Sequence, residues 1–446
     1  MHFMQFNSTV FLFCFLPIFL AVYYIVPAKW RNFPLLIGSL LFYGYAVQKT
    51  PWMFIPILLL TVFGYFVGLV IEKKATAWVV LPACGVMLLT MVFFKVFDGG
   101  VLFPIAMSFY LFQIAAYLLS IYQGKIQAEK DPGRFATQIL LFPKLLSGPI
   151  MDAGQLQQQT RKRNYEAAEF HRGLQELILG LAMKVLIANR LGSLWAQAGV
   201  VGYGSISTGF AWLALIAFAL RLYFDFYGYS LMAVGIGRML GFRLPANFDD
   251  PYASRSVSEF YRRWHITLGA WFREFIYIPM GGNRKGIGRT VLNLLVVWLL
   301  TGLWHGIGGN YLLWAGIIVL FVILERLFLR KWLDKSHVLS RIYTVFIILI
   351  SWVPFAIGDF NNMWVFMQRL FGFGAPILNP IDFLPHLKTY GWLLSAGVIL
   401  ATPLPKWVWN KVRNYWAVDI LLFVLFWICA YYIATAAQDP FMYFQY

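Results

Sequence analysis

The strongest constraint on this chain is the recurrence of apolar runs near twenty residues along almost its whole length of 446 residues. A helix of about 20 consecutive apolar residues matches the hydrocarbon thickness of a bilayer. Such runs lie near 8–27, 32–48, 51–71, 77–97, 102–122, 173–190, 208–224, 289–305, 310–329, 342–358, 390–403 and 417–437. They predict an all-α polytopic membrane protein of about 11 to 13 hydrophobic helices, some of them re-entrant or interfacial. Composition agrees: 60% of residues are hydrophobic and only 12% charged. A soluble chain carries about a quarter charged residues, and one core cannot bury so many runs of this length. The absence of internal repeats and of a soluble block makes residues 1–446 a single membrane domain.

The net charge of +17 does not point to nucleic acid, because no nucleic-acid fold signature accompanies it. Basic loops at 125–134, 161–172, 284–289 and 326–341 fit the cytoplasmic side of a membrane. Cys14, Cys84 and Cys429 are far apart in apolar runs, which argues for small buried packing residues over a disulfide framework or a thiolate metal site. The opening "MHFMQFNSTVFLFCFLPIFLAVYYIVP" has no basic residue before its apolar run. It is expected to be a retained first transmembrane helix rather than a signal peptide.

Two segments depart from simple spanning. "ATQILLFPKLLSGPIMDAG" (136–154) is apolar but broken by Pro143, Lys144, Gly148 and Pro149. Irregular backbone at membrane depth survives only when buried in protein or lining a wet cavity, so a re-entrant hairpin is expected, with a long interfacial loop as the alternative. The second is the polar block from Asp225 to Arg289. Ser256 followed by Glu259 has capping-box spacing. Val257, Phe260, Trp264, Leu268, Trp271 and Phe275 then keep helical spacing. This predicts one amphipathic helix at the interface or at the cytoplasmic mouth of the bundle.

Hydrolase elbows, P-loops and HExxH are missing, and the six histidines show no zinc-ligand spacing. No metal is expected. His2 and His171 sit near terminal or polar sequence, and His337 and His386 in polar loops. His305, in "TGLWHG", ends an apolar run and is flanked by Gly302 and Gly306, residues that let helices approach closely. An ionisable residue there is a candidate site; a neutral imidazole bonded between helices is the plainer reading. His265, in "RRWHITL", reads from its own surroundings as an interfacial histidine on the amphipathic helix. Asp225, among aromatic residues beside a span, needs a partner, with Arg221, Arg238 or a histidine as candidates. One buried histidine without an obvious nucleophile suits acyl transfer from a thioester, which is already activated and needs a base and oxyanion support. It suits a proton relay in a transporter equally well, and a structural subunit of an export complex is a third reading.

The chain resembles the membrane-bound O-acyltransferase (MBOAT) family, in its bacterial alginate O-acetylase-like branch. The resemblance runs through "NSTVFLFCFLPIFLAVYYIVP", "LFPKLLSGPI", "FDFYGYSLMAVGIGRMLGF", "NFDDPYASRSVSEFYRRWHITLGAWFREFIYIPMGG", "GLWHG" and "PFMYFQY". It implies helices around a central tunnel, with the essential histidine deep inside at His305 and a second at His265. By the same resemblance, His305 is the general base or an equivalent orienting group, and His265 positions or polarises a substrate. Asp225, Asn247, Trp304, Arg263 and Trp264 are expected to line the tunnel or bind substrate. The expected activity is acetyl transfer from cytoplasmic acetyl-CoA, with no permanently bound cofactor, toward hydroxyls of an exported polysaccharide or cell-wall glycan. D-alanyl transfer from a carrier protein to teichoic acid is the alternative within the branch. The implied setting is the bacterial cytoplasmic (inner) membrane, with the lipid bilayer as solvent and an SGNH-type or similar extracytoplasmic partner. The terminal Tyr446 could carry the acetyl group on its phenolic oxygen to that partner; an interfacial aromatic anchor is the alternative.

Overall fold

The computed structural model describes residues 4–96, 106–145, 148–374 and 376–435, so Tyr446 lies outside the described residues. Among these, regular structure is helical, and the one extended pairing is a single antiparallel bridge between Phe248 and Trp264. Eight helices among the described residues are long and apolar enough to cross a membrane, and Phe11–Ile25 and Met107–Tyr122 are shorter apolar helices. Trp78 (89% exposed), Ile25 (81%) and Leu421 (67%) show what such helices leave uncovered. Surfaces of this kind are stable where lipid, not water, is the solvent. Cys14 is likewise exposed, contrary to its expected burial, while Cys84 is half-buried and only Cys429 is buried. The outer face of an apolar helix needs no core to accept a thiol.

The chain divides into two compact units that interleave in sequence. The first takes the described residues within 4–181, 229–246 and 430–435. It holds α1 (Leu16–Ile25), α2 (Asn32–Ala46), α3 (Phe54–Lys73), α4 (Ala77–Val96), α5 (Met107–Tyr122), α6 (Pro132–Leu140), α7 (Ala153–Arg161) and nearly all of α8 (Ala167–Ala182). Phe11, Phe15, Phe19 and Phe42 surround Phe142, with ring centroids 5.2–6.4 Å from it. Residues 137–145 and 148–151 are thus buried in protein, as irregular backbone in an apolar setting requires. Lys144 among them is wholly buried, donating from Nζ to Gln113 Oε1 (2.8 Å) and the Gln138 carbonyl (2.7 Å). A Cβ on Gly173 would stand 2.5 Å from the Gly235 carbonyl, so only glycine permits that backbone crossing.

The second unit takes residues 182–228 and 247–429. It comprises α9 (Asn189–Val201), the first two-thirds of α10 (Thr208–Met239), α11 (Val257–Arg263), α12 (Ile266–Phe272), α13 (Gly286–His305), α14 (Gly309–Leu324), α15 (Arg330–Leu333), α16 (His337–Ala356), α17 (Phe360–Leu370), α18 (Phe383–Leu400), α19 (Leu404–Val412) and most of α20 (Trp416–Thr435). Two one-turn π segments here, Met183–Ala188 and Glu325–Leu329, carry the buried charges Lys184 and Glu325. Such turns often mark functional positions in helices.

The polar block corrects the expectation of one continuous helix. Ser256 does cap the start, its Oγ accepting from Glu259 N at 3.0 Å. The helix then stops at Trp264, and His265 takes a left-handed backbone (φ 47, ψ 54) before α12 begins. The apolar spacing continues through the break, which is why periodicity alone could not find it. His337 opens α16 and His386 lies within α18, so neither is in a loop.

Candidate active site

His305 is the last residue of α13, and α14 follows after a three-residue connection. A Cβ on Gly306 would meet the Tyr311 ring at 2.5 Å, and one on Gly302 would crowd Ala315 and the Tyr311 carbonyl at 3.1 Å. The two glycines therefore let α14 close onto the end of α13. His305 is 8% exposed. Its ring lies 5.0 Å from Trp314 and 5.0 Å from Phe355, both nearly perpendicular. Asn310 fixes this corner by donating to the Pro354 carbonyl at 3.1 Å.

His265 is also buried, contrary to the interfacial reading of it, and the break in the helix is what turns it inward. Its left-handed backbone costs about 1–2 kcal/mol and must be held by its surroundings. Asn247 supplies the clamp. Its carbonyl accepts from Ile266 N (3.0 Å), and its Oδ1 accepts from Thr267 Oγ1 (2.6 Å), while the Phe248–Trp264 bridge closes the other side. Phe226 stands perpendicular against the imidazole at 4.7 Å. Both His265 ring nitrogens and Asn247 Nδ2 are buried without a hydrogen-bond partner among the described residues. Buried polar atoms left in that state are costly, and a substrate or water with matching groups would relieve the cost.

Trp304 joins the two histidines. Its ring is 6.1 Å from His265 and 4.5 Å from His305. The structure thus brings together His265, Trp304, His305 and, through its clamp, Asn247. Trp264 stands behind them in an aromatic wall, 5.4 Å from Trp352. Arg263 is directed elsewhere, with Nη2 paired to Glu259 Oε1 at 2.7 Å and Nη1 toward the Asp249 carbonyl. Asp225 pairs with Lys184, Nζ to Oδ1 at 2.5 Å, and not with Arg238, which holds Glu169 and Glu176. Lys184 was legible as a lysine inside the 173–190 run. Trp314 and Phe355 gave no signal, since each is one aromatic among many in an apolar span.

Burial pushes the His265 imidazole from 6.5 down to about 3. Between these values the unfolded chain holds one proton more than the folded one, so acid favours unfolding. The folded protein is spared this cost above pH 6.5 and bears more of it as pH falls toward 3. Asn is the substitute best suited to a left-handed backbone. His265→Asn should therefore flatten the acid-side fall in melting temperature of the detergent-solubilised chain. An unchanged slope would show that His265 is not the group responsible.

Comparison with known proteins gives this geometry a family. The sequence profile of the membrane-bound O-acyltransferase family matches residues 131–364, which include both histidines. The probable alginate O-acetylase AlgI of Pseudomonas aeruginosa is 35% identical, over 89% of this chain and 81% of its own. The peptidoglycan O-acetyltransferase of Helicobacter pylori is 30% identical, over 81% of this chain and 76% of its own. The teichoic acid D-alanyltransferase of Bacillus subtilis is more distant, at 23% over 55% of this chain and 65% of its own. A multi-pass helical membrane protein with this profile and these relatives is an O-acyltransferase, and the chain belongs to the membrane-bound O-acyltransferase family.

Proposed function

We propose that this enzyme transfers an acetyl group from cytoplasmic acetyl-CoA toward hydroxyls of an exported polysaccharide or cell-wall glycan, in the bacterial cytoplasmic membrane. The observation that carries the reading is the pair of buried histidines that both pack near the Trp304 ring. In the proposed reaction His305 takes the proton of an acceptor hydroxyl as its oxygen attacks the thioester carbonyl. The tetrahedral intermediate collapses, the carbon–sulfur bond breaks, and the proton passes to the leaving thiolate. The products are an acetyl ester and free thiol. His265, neutral in its apolar setting, offers one ring N–H to the developing oxyanion or to the acceptor. Trp314 and Phe355 keep water from the thioester.

The acetyl donor is favoured by the closer similarity to the two O-acetyl-transferring relatives than to the D-alanyltransferase. An extracytoplasmic partner, or the phenol of Tyr446, would complete delivery to the glycan. Proteoliposomes given acetyl-CoA labelled in its acetyl group should release free CoA and pass label to a hydroxyl acceptor. Transfer only from a D-alanyl-charged carrier protein would replace the donor. Proton or solute flux with neither donor would sink the reading.

A further inference from the structure

A cavity of about 750 Å³ lies between α11, α13 and the C-terminal end of α14, separate from the histidines. Its lining carries four arginines, Arg255, Arg262, Arg326 and Arg330. Three acids also line it, but each is engaged. Glu325 accepts from Val257 N, Ser258 N and Ser258 Oγ, which takes up the start of α11. Glu259 holds Arg263 and the Arg255 backbone N–H. Asp334 faces Arg330 at 3.9 Å, an exposed pair of little worth. Arg255 leans on His337. The guanidinium groups of Arg262 and Arg326 have no hydrogen bond or ion pair among the described residues.

Two unengaged guanidinium forks in a cavity of this size suit the oxygens of a phosphoryl group, which they meet with paired N–H donors. The volume falls in the range of sites for nucleotide-sized ligands, about 300–1,000 Å³. Arg326 and Arg330 belong to the basic 326–341 stretch, expected on the cytoplasmic side. Trp298 forms part of the cavity wall. It lies 5.9 Å from Trp314, which in turn lies 5.0 Å from His305.

We propose that this cavity is a phosphate-binding site in which Arg262 and Arg326 hold the phosphoryl oxygens. Two sources share that chemistry: the phosphates of a nucleotide thioester such as CoA, and the headgroup of an anionic phospholipid. The first rests on the acetyl-CoA reading above; the second does not. The test uses the full chain in nanodiscs, wild type against Arg262→Gln, Arg326→Gln and the double variant, each first checked for a wild-type melting temperature. Where a glutamine variant melts early, lysine replaces it, keeping the charge but losing the fork.

CoA affinity, measured by titration calorimetry, should fall about tenfold per arginine and weaken with salt, while pantetheine, lacking those phosphates, binds all forms alike. Alternatively, phosphatidylglycerol retained through native mass spectrometry should disappear from the double variant. Either loss supports the site and names its source. CoA bound equally by wild type and double variant, with lipid retention also unchanged, overturns the cavity assignment and leaves acetyl-CoA as donor. If wild type binds no CoA, the donor reading fails and the cavity is decided by the lipid result alone. A wild type that holds neither overturns it.

Discussion

Replacing His305 with alanine should lower acyl transfer by about a thousandfold, with the protein still present in the membrane at normal abundance. The size follows from the role. A positioned base contributes about 10²–10⁴ in rate, and the His305 imidazole is the one packed into the Trp314–Phe355 corner, 5.0 Å from each ring. The loss should fall on kcat, with KM for the thioester little changed, because in the proposed reaction His305 acts on the proton of the acceptor and not on donor binding. His305→Gln sharpens the test: it keeps a polar side chain against Trp304 and Trp314 but cannot take the proton. It should be nearly as inactive as alanine. A glutamine variant with most of its activity would make His305 an orienting group; an alanine variant with full transfer would remove it from the reaction.

The sequence made this much legible because its strongest signals are physical. Apolar runs of membrane length and a histidine at the end of one are readable without a fold. So is Ser256, whose side chain caps α11 as its spacing to Glu259 implied. What the pattern could not hold was the left-handed turn at His265. Trp264 and Leu268 keep the helical period across it, so the break is written in the bonds from Asn247, some twenty residues away in the chain. The same limit hid one partner of Asp225, Lys184. Arg221 and Arg238 were the visible candidates on its own helix, but Arg238 is held by Glu169 and Glu176, and Lys184 reaches Asp225 from a neighbouring segment. Local spacing reports helices well and reports pairings across helices poorly.

That ion pair sets up the second large effect. Lys184 Nζ and Asp225 Oδ1 are 2.5 Å apart, with side chains only 1% and 2% exposed. Removing one partner strands a charge in an apolar interior, so Lys184→Met or Asp225→Leu should each cost about 3–5 kcal/mol. Replacing both, as Lys184→Met with Asp225→Leu, removes the desolvation cost along with the attraction and should restore stability to within about 1–2 kcal/mol of wild type. Melting of the four forms in one detergent gives the coupling directly, and near-additive losses would show that the two charges do not act as a pair. The double variant then separates scaffold from site. Phe226, the next residue along α10, is what touches His265, so a pair that only anchors this helix leaves transfer near normal once stability is restored. Transfer lost in a double variant that melts like wild type would show that the Lys184–Asp225 pair serves the reaction beyond anchoring this helix.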